Sequence, residues 1–167
     1  MTSGDDAIKG KSPYTLVRLK ESDLLAVMAL EQACFVQPWT RDNFLGELRR
    51  KVTVAMGLRY DGMLVAQCFF WLISPEIHLL NVAVAPRFRG LGLARRLLTV
   101  MFSIGRKAGV KTVFLEARPS NLSAIGLYKS LGFEVAGVRP DYYEDGEDAV
   151  LMTLEMGPPE PAAGYGF

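Results

Sequence analysis

Histidine and cysteine are scarce in this chain of 167 residues: His78 is its one histidine, and Cys34 and Cys68 are its two cysteines. That scarcity excludes a Cys/His zinc set and a disulfide framework, so no metal is expected. An excess of one charge is also lacking. Lys plus Arg number 19 against 18 Asp plus Glu, so the broad positive field of a non-specific nucleic-acid binder is absent and no direct nucleic-acid binding is expected. Long apolar runs are missing too. The longest, MLVAQCFFWLI at 63–73, is too short to cross a bilayer, and the opening MTSGDDAIKGKSP lacks the apolar core of a signal peptide. These absences point to a cytoplasmic protein without membrane association, in which local patches carry any charge recognition.

What is present suits one domain. Half of the residues are hydrophobic, and helical and strand patterns alternate without repeats, as in an α/β or α+β domain. The ordered domain is expected over 13–156, between a polar segment at 1–12 and a Pro/Gly tail at 157–167, both read as flexible. YTLVRL (14–19) reads as a first strand. From Ser22, Leu24, Leu25, Met28 and Ala29 recur at helical spacing. A second helix starts after Thr40, a good N-cap, with Trp39 and Phe44 placed to form a hydrophobic staple. Strands at 52–59 and 63–73 flank a hairpin turn at Tyr60-Asp61-Gly62. IHLLNVAVA (77–85) is nearly continuously apolar and therefore central. A helix carrying Leu93, Leu97, Met101 and Ile104 on one stripe stops near Gly109. A strand at 111–117, a short helix at 120–132 and two last strands complete the chain.

The turn RFRGLGLARR (87–96) joins the central strand to a helix N-terminus. Such a junction gathers unpaired backbone N–H groups at the positive end of a helix dipole, which makes it an anion site. Gly90 and Gly92 let the backbone approach a phosphate closely, and Arg87, Arg89, Arg95 and Arg96 can add charge-assisted hydrogen bonds. The stretch lacks the Lys-Ser/Thr ending of a P-loop and is not a Rossmann fingerprint.

The segment RGLGLA (89–94) resembles the acetyl-coenzyme A signature R/Q-x-x-G-x-G/A of the GCN5-related N-acetyltransferase (GNAT) superfamily, with Arg89, Gly92 and Ala94 at the matching positions. FLEARPSNLSAIGLYKSLGF (114–133), DYYEDGEDAVLM (141–152), QPWT with NF (37–44) and IHLLNVAVAP (77–86) are similar to RimI-type ribosomal-protein alanine N-acetyltransferases. The closing loop also resembles that of the catalytic subunit of the archaeal and eukaryotic N-terminal acetyltransferase A. The likeness covers about residues 14–156.

This resemblance implies a mixed central sheet flanked by about four helices, with two central strands, 77–85 and 111–117, splayed apart. Acetyl-CoA is the implied cosubstrate. Its pantetheine arm would lie in the gap against backbone groups of Val82, Ala83 and Val84, with one amide directed at the thioester carbonyl to stabilise the negative charge that develops there. The amides of Arg89, Gly90, Leu91, Gly92, Leu93, Ala94 and Arg95 would bind the pyrophosphate, and Asn121 would hydrogen-bond the arm. Taken alone, Val82 to Val84 would be core strand and Asn121 a helix cap. The implied base is Glu116, in a strand where a carboxylate is seldom placed for packing. The implied acid is Tyr128, which follows Ala124 at i+4 and could equally be a core aromatic.

An α-amine titrates near 7.7–8.0, within reach of a carboxylate acting through one water. Tyr142 and Tyr143 match the tyrosine pair lining the peptide cleft of these relatives, and Phe35 and Trp39 lie in the loop that would form its other wall. A protein N-terminus, as in ribosomal protein S18, is therefore the expected acceptor, modified by direct transfer. A small-molecule amine acetyltransferase, or a catalytically silent acetyl-CoA-binding module, are the alternatives. Glu144, Asp145, Glu147 and Asp148 form an acidic stretch in which Glu144 and Asp145 read as solvated. Cys34, Cys68 and His78 read as structural residues.

Overall fold

The computed structural model describes residues 12–158; the expected flexible ends otherwise lie outside the described residues. Seven strands form one sheet in the order β1-β2-β3-β4-β5-β7-β6: β1 (Tyr14–Arg18), β2 (Thr53–Tyr60), β3 (Met63–Ile73), β4 (Glu76–Val84), β5 (Thr112–Ala117), β6 (Glu134–Arg139) and β7 (Ala149–Glu155). β4 occupies the middle, as its unbroken hydrophobicity requires. It pairs antiparallel with β3 and parallel with β5, every other pair being antiparallel. The β2–β3 hairpin turns at Asp61 and Gly62, with φ of 48° and 77°, the left-handed pair a two-residue hairpin turn needs.

Four helices cover the sheet: α1 (Leu24–Cys34), α2 (Arg41–Arg49), α3 (Leu93–Lys107) and α4 (Leu122–Ser130). The core is split by the sheet. α3 and α4 pack on one face around Leu97, Leu98, Met101, Ile77, Val113 and Met152. α1 and α2 pack on the other around Val27, Leu30, Phe44 and Phe69. The buried stripe of α1 is Leu24, Val27, Leu30 and Glu31, which corrects the expected stripe: Leu25 is 82% exposed and Ala29 faces solvent. This helix is apolar nearly all round, so its own periodicity did not select a face. α2 begins as expected. Thr40 Oγ1 accepts from the Asn43 amide at 3.2 Å, Thr40 N donates to Asn43 Oδ1 at 3.0 Å, and Trp39 packs 5.1 Å from Phe44 between ring centres.

A bulge at Leu80 decides what β4 does next. Phe69 faces Asn81 and Phe70 faces Leu79, so Leu80 is the extra residue and the inside–outside alternation switches there. Ile77 and Leu79 join the α3 core, whereas Ala83 joins the α1 core and Val82 and Val84 turn toward α3. Pairing with β5 stops at Leu79–Leu115, at the bulge. Beyond it the two strands diverge, which is the splay expected from the resemblance.

Candidate active site

The divergence opens a cleft of about 500 Å³ lined by Val82, Ala83, Val84, Arg89, Gly90, Gly92, Leu93, Ala94, Arg95, Asn121 and Tyr128, together with Cys34, Phe35 and Phe88. Ala85 N donates to Val65 O at 2.8 Å, so Ala83 spends its backbone groups on β3 by antiparallel alternation. Val82 and Val84 direct theirs into the gap. The Val84 carbonyl already accepts from Arg89 Nε at 3.1 Å and Cys34 Sγ at 3.2 Å, which leaves Val82 and the Val84 amide open to an extended ligand. Among the residues expected here Leu91 does not line the cleft, its side chain being 59% exposed; its amide still belongs to the turn.

At the mouth, Gly90 and Gly92 have φ of 76° and 77°, and the amides from Gly90 to Arg95 donate to no other group of the described chain. These free donors at the start of a 15-residue helix, with Arg89 and Arg95 beside them, suit a pyrophosphate. Arg96 is otherwise engaged, donating to Ser12 Oγ at 2.8 Å and to the Tyr14 carbonyl. Asn121 both caps α4, accepting from Ala124 N at 3.2 Å through Oδ1, and lines the cleft, so its Nδ2 remains free to donate. The cleft thus offers an unpaired strand edge, an anion cradle and a side-chain donor in sequence, the donor set that an acyl-CoA requires.

Tyr128 is 9% exposed, packs edge-on to Phe133 at 5.7 Å and also lines the cleft. It is a core aromatic and a cleft residue together. Burial, with the nearby Cys68 and Tyr143, pushes its hydroxyl far above the ordinary tyrosine value, so it stays protonated as a proton donor must.

A second cavity, of about 590 Å³, is lined by Trp39, His78, Phe114, Glu116, Tyr142 and Tyr143 among others. Val113, Leu115 and Ala117 of β5 point into the α3 core, which sends Phe114 and Glu116 to the opposite face. Glu116 therefore stands outside the α3 core, its side chain 32% exposed and 3.4 Å from Arg139 Nη1. A hydrogen bond to Glu116, and then burial, raise Tyr142 above the ordinary tyrosine range, while burial foremost raises Tyr143. The two tyrosine rings meet edge to face at 5.0 Å. Phe35 is not with Trp39 in this cavity. It lines the first cleft, although both side chains pack against the same α1–α2 core.

The match to the acetyltransferase (GNAT) family model runs over residues 24–133, through the splayed strands, the anion cradle and α4. The chain belongs to this family. It is 36% identical over 145 residues to the [ribosomal protein bS18]-alanine N-acetyltransferase of Escherichia coli K12, covering 85% of this chain and 97% of that one. The crystal structure of the E. coli ribosomal-protein-S18-alanine N-acetyltransferase superposes with a TM-score of 0.81 at 34% identity, over 92% of this chain and 99% of that one. Ard1 from Thermoplasma volcanium gives 0.80 at 26% identity, over 87% and 99%. As a GNAT enzyme, the protein is an N-acetyltransferase that uses acetyl-CoA.

Three features of this GNAT site escaped the sequence reading. Glu31, 1% exposed, accepts from Trp39 N at 3.0 Å, Asn81 Nδ2 at 3.0 Å and Gln67 Nε2 at 3.2 Å, tying the loop before α2 to β4. The sequence held no signal for it, because α1 is apolar nearly all round and only the packing shows that Glu31 shares a buried face with Leu24 and Val27. Asp145, read as solvated, is paired with Arg118, 2.8 Å away. His78 lines the second cavity, stacked 5.2 Å from Phe114 and 2.8 Å from Glu76 Oε2. Burial raises the Cys68 thiol far above its usual value, and burial foremost raises Cys34 too, so neither is activated as a thiolate nucleophile. Among the described residues no helix is long and apolar enough to cross a membrane, and no His, Cys, Asp and Glu cluster is placed to hold a metal ion.

Proposed function

We propose that this enzyme acetylates the α-amine of a protein N-terminus in the cytoplasm, with a bS18-type ribosomal protein beginning with alanine as acceptor. The observation that carries this reading is the pair of cavities lined by the splayed strands, β4 in both and β5 in the second, with Tyr128 in the first and Glu116 in the second, the latter walled by Trp39, Tyr142 and Tyr143. Likeness to enzymes named for bS18-alanine acetylation supports the choice of acceptor.

Acetyl-CoA, held by the amides from Gly90 to Arg95, by Val82 and by Asn121, supplies an acetyl thioester. Glu116 accepts the proton of the incoming ammonium, directly or through one water, which an α-amine of pKa about 7.7–8.0 surrenders readily near neutrality. Tyr128 holds a proton at its hydroxyl for the departing sulfur. An amide at Val82 or Val84 faces the position where negative charge develops, an interaction that typically contributes about 3–4 kcal/mol. Trp39, Tyr142 and Tyr143 exclude water and orient the chain end.

The test is turnover with otherwise identical peptides beginning with Ala, Ser or Met, beside an N-terminally blocked peptide that carries lysine, with the acetyl group located by mass spectrometry. Modification of the free α-amine, strongest on Ala and absent from the blocked peptide, is the expected outcome. Lysine acetylation of the blocked peptide, or turnover confined to small amines, overturns the reading.

A further inference from the structure

Arg118 directly follows β5, two residues after Glu116 and three before Asn121, and its side chain is 27% exposed. It reaches in two directions. Nη1 donates to both Asp145 oxygens, at 3.1 and 2.8 Å, and to Glu147 Oε2 at 2.9 Å. Nη2 donates to Gln37 Oε1 at 3.0 Å. Between these ends its Cζ lies 3.9 Å from the centre of the Tyr143 ring, a close cation–π contact.

The partners belong to different walls of the acceptor cavity. Gln37 lies in the connection between α1 and α2, which carries Trp39, while Asp145 and Glu147 lie in the connection between β6 and β7, which carries Tyr142 and Tyr143. Both carboxylates are held in turn. Glu147 Oε1 accepts from Ser120 N at 2.9 Å, Asp145 Oδ1 accepts from Glu147 N at 3.1 Å, and Tyr143 N donates to Glu147 O at 3.0 Å. Hydrogen bonds from Ser120, and then Arg118, keep the Glu147 carboxyl below the usual range and therefore charged. A planar guanidinium with five donors can bridge such divergent acceptors; an ammonium, a point charge, cannot reach both sets.

We propose that Arg118 is an acceptor-positioning residue: a clasp that joins the two walls of the peptide cleft and sets the Tyr143 ring, and so governs affinity for the acceptor rather than for acetyl-CoA. This rests on the reading of the second cavity as a peptide site. Loss of the clasp leaves the cofactor contacts of Val82, Asn121 and the anion cradle intact, because Arg118 does not line that cleft. It frees the two walls to separate, so ordering them is charged against each binding event.

The experiment measures kcat, peptide KM and acetyl-CoA KM for the unaltered chain and for Arg118→Ala, Arg118→Lys, Gln37→Ala and the Gln37→Ala/Arg118→Ala pair. Expected is a peptide KM raised about tenfold or more by Arg118→Ala, an acetyl-CoA KM within twofold of the unaltered chain, and only partial recovery in Arg118→Lys. Gln37→Ala, in an exposed loop, cuts one arm of the clasp and raises peptide KM several-fold; it covers the case in which Arg118→Ala does not fold. The double variant should match Arg118→Ala, because both changes break the same link. An unchanged peptide KM, or an acetyl-CoA KM that rises in parallel, overturns the inference alone. A peptide that the unaltered chain does not acetylate overturns the reading beneath it as well.

Discussion

Glu116 and Arg139 approach to 3.4 Å across β7, the first from β5 and the second from β6. Arg139 also lies 5.1 Å over the Tyr142 ring, so one guanidinium orients both the proposed base and a wall of the acceptor cavity. Glu116→Gln keeps the shape of the carboxylate and removes its capacity to take a proton. It should lower kcat about 10²–10⁴-fold, the usual worth of a positioned base, with acetyl-CoA KM nearly constant. A steady-state assay at pH 7 and 8.5 checks this, and a kcat within threefold of the unaltered enzyme at both would remove Glu116 from the chemistry.

Tyr128→Phe deletes a hydroxyl and keeps a ring packed on Phe133. Turnover should fall about 10²-fold or more, as for loss of a general acid, while calorimetric acetyl-CoA affinity and melting temperature stay close to those of the unaltered chain. Weakened binding together with a lower melting temperature would mean that the hydroxyl serves the fold.

Gly92 has φ of 77° and no heavy atom within 4 Å of the position a Cβ would take. Gly92→Ala therefore meets no clash, and its cost is the left-handed backbone, about 1–2 kcal/mol. Either the strain is borne, lowering the melting temperature by a few degrees, or the turn relaxes and its amides leave the phosphate. Acetyl-CoA KM should rise about tenfold with peptide KM little changed; equal rises in both would contradict the assignment of this turn to the cofactor.

Glu31 supplies a pH dependence of stability. Burial outweighs its hydrogen bonds and raises its pKa above the ordinary glutamate value of 4.5. The folded chain then holds the proton more tightly than the unfolded one, so this residue's contribution is fully present below pH 4.5 and is lost as pH rises through the folded value. The stability of the unaltered chain relative to Glu31→Gln should fall as pH rises from about 4.5 toward neutrality, since glutamine cannot ionise. Urea melts at several pH values measure it, and a relative stability that rises with pH would contradict the sign.

Local pattern was enough for the elements and their order. Continuous apolarity placed β4 at the middle of the sheet, Thr40 with Trp39 and Phe44 marked the start of α2, and Gly90 with Gly92 marked an anion cradle, because each depends on residues a few positions apart. Resemblance to the family carried Glu116, Tyr128 and Asn121. Tertiary structure decided what depends on residues far apart. An extra residue at Leu80 only becomes a bulge when β3 is laid beside it, and that bulge reverses the faces of β4 and ends its pairing with β5. Strand alternation in β5 then sends Glu116 away from the α3 core into the second cavity, while α4 holds Tyr128 in the first and the α1–α2 connection places Phe35 there with it. Arg118 and Gln37 are 81 residues apart, and Glu31 and Asn81 are 50 apart. Such pairs leave no periodicity behind, since a charged side chain reads as solvated until the fold supplies its partner.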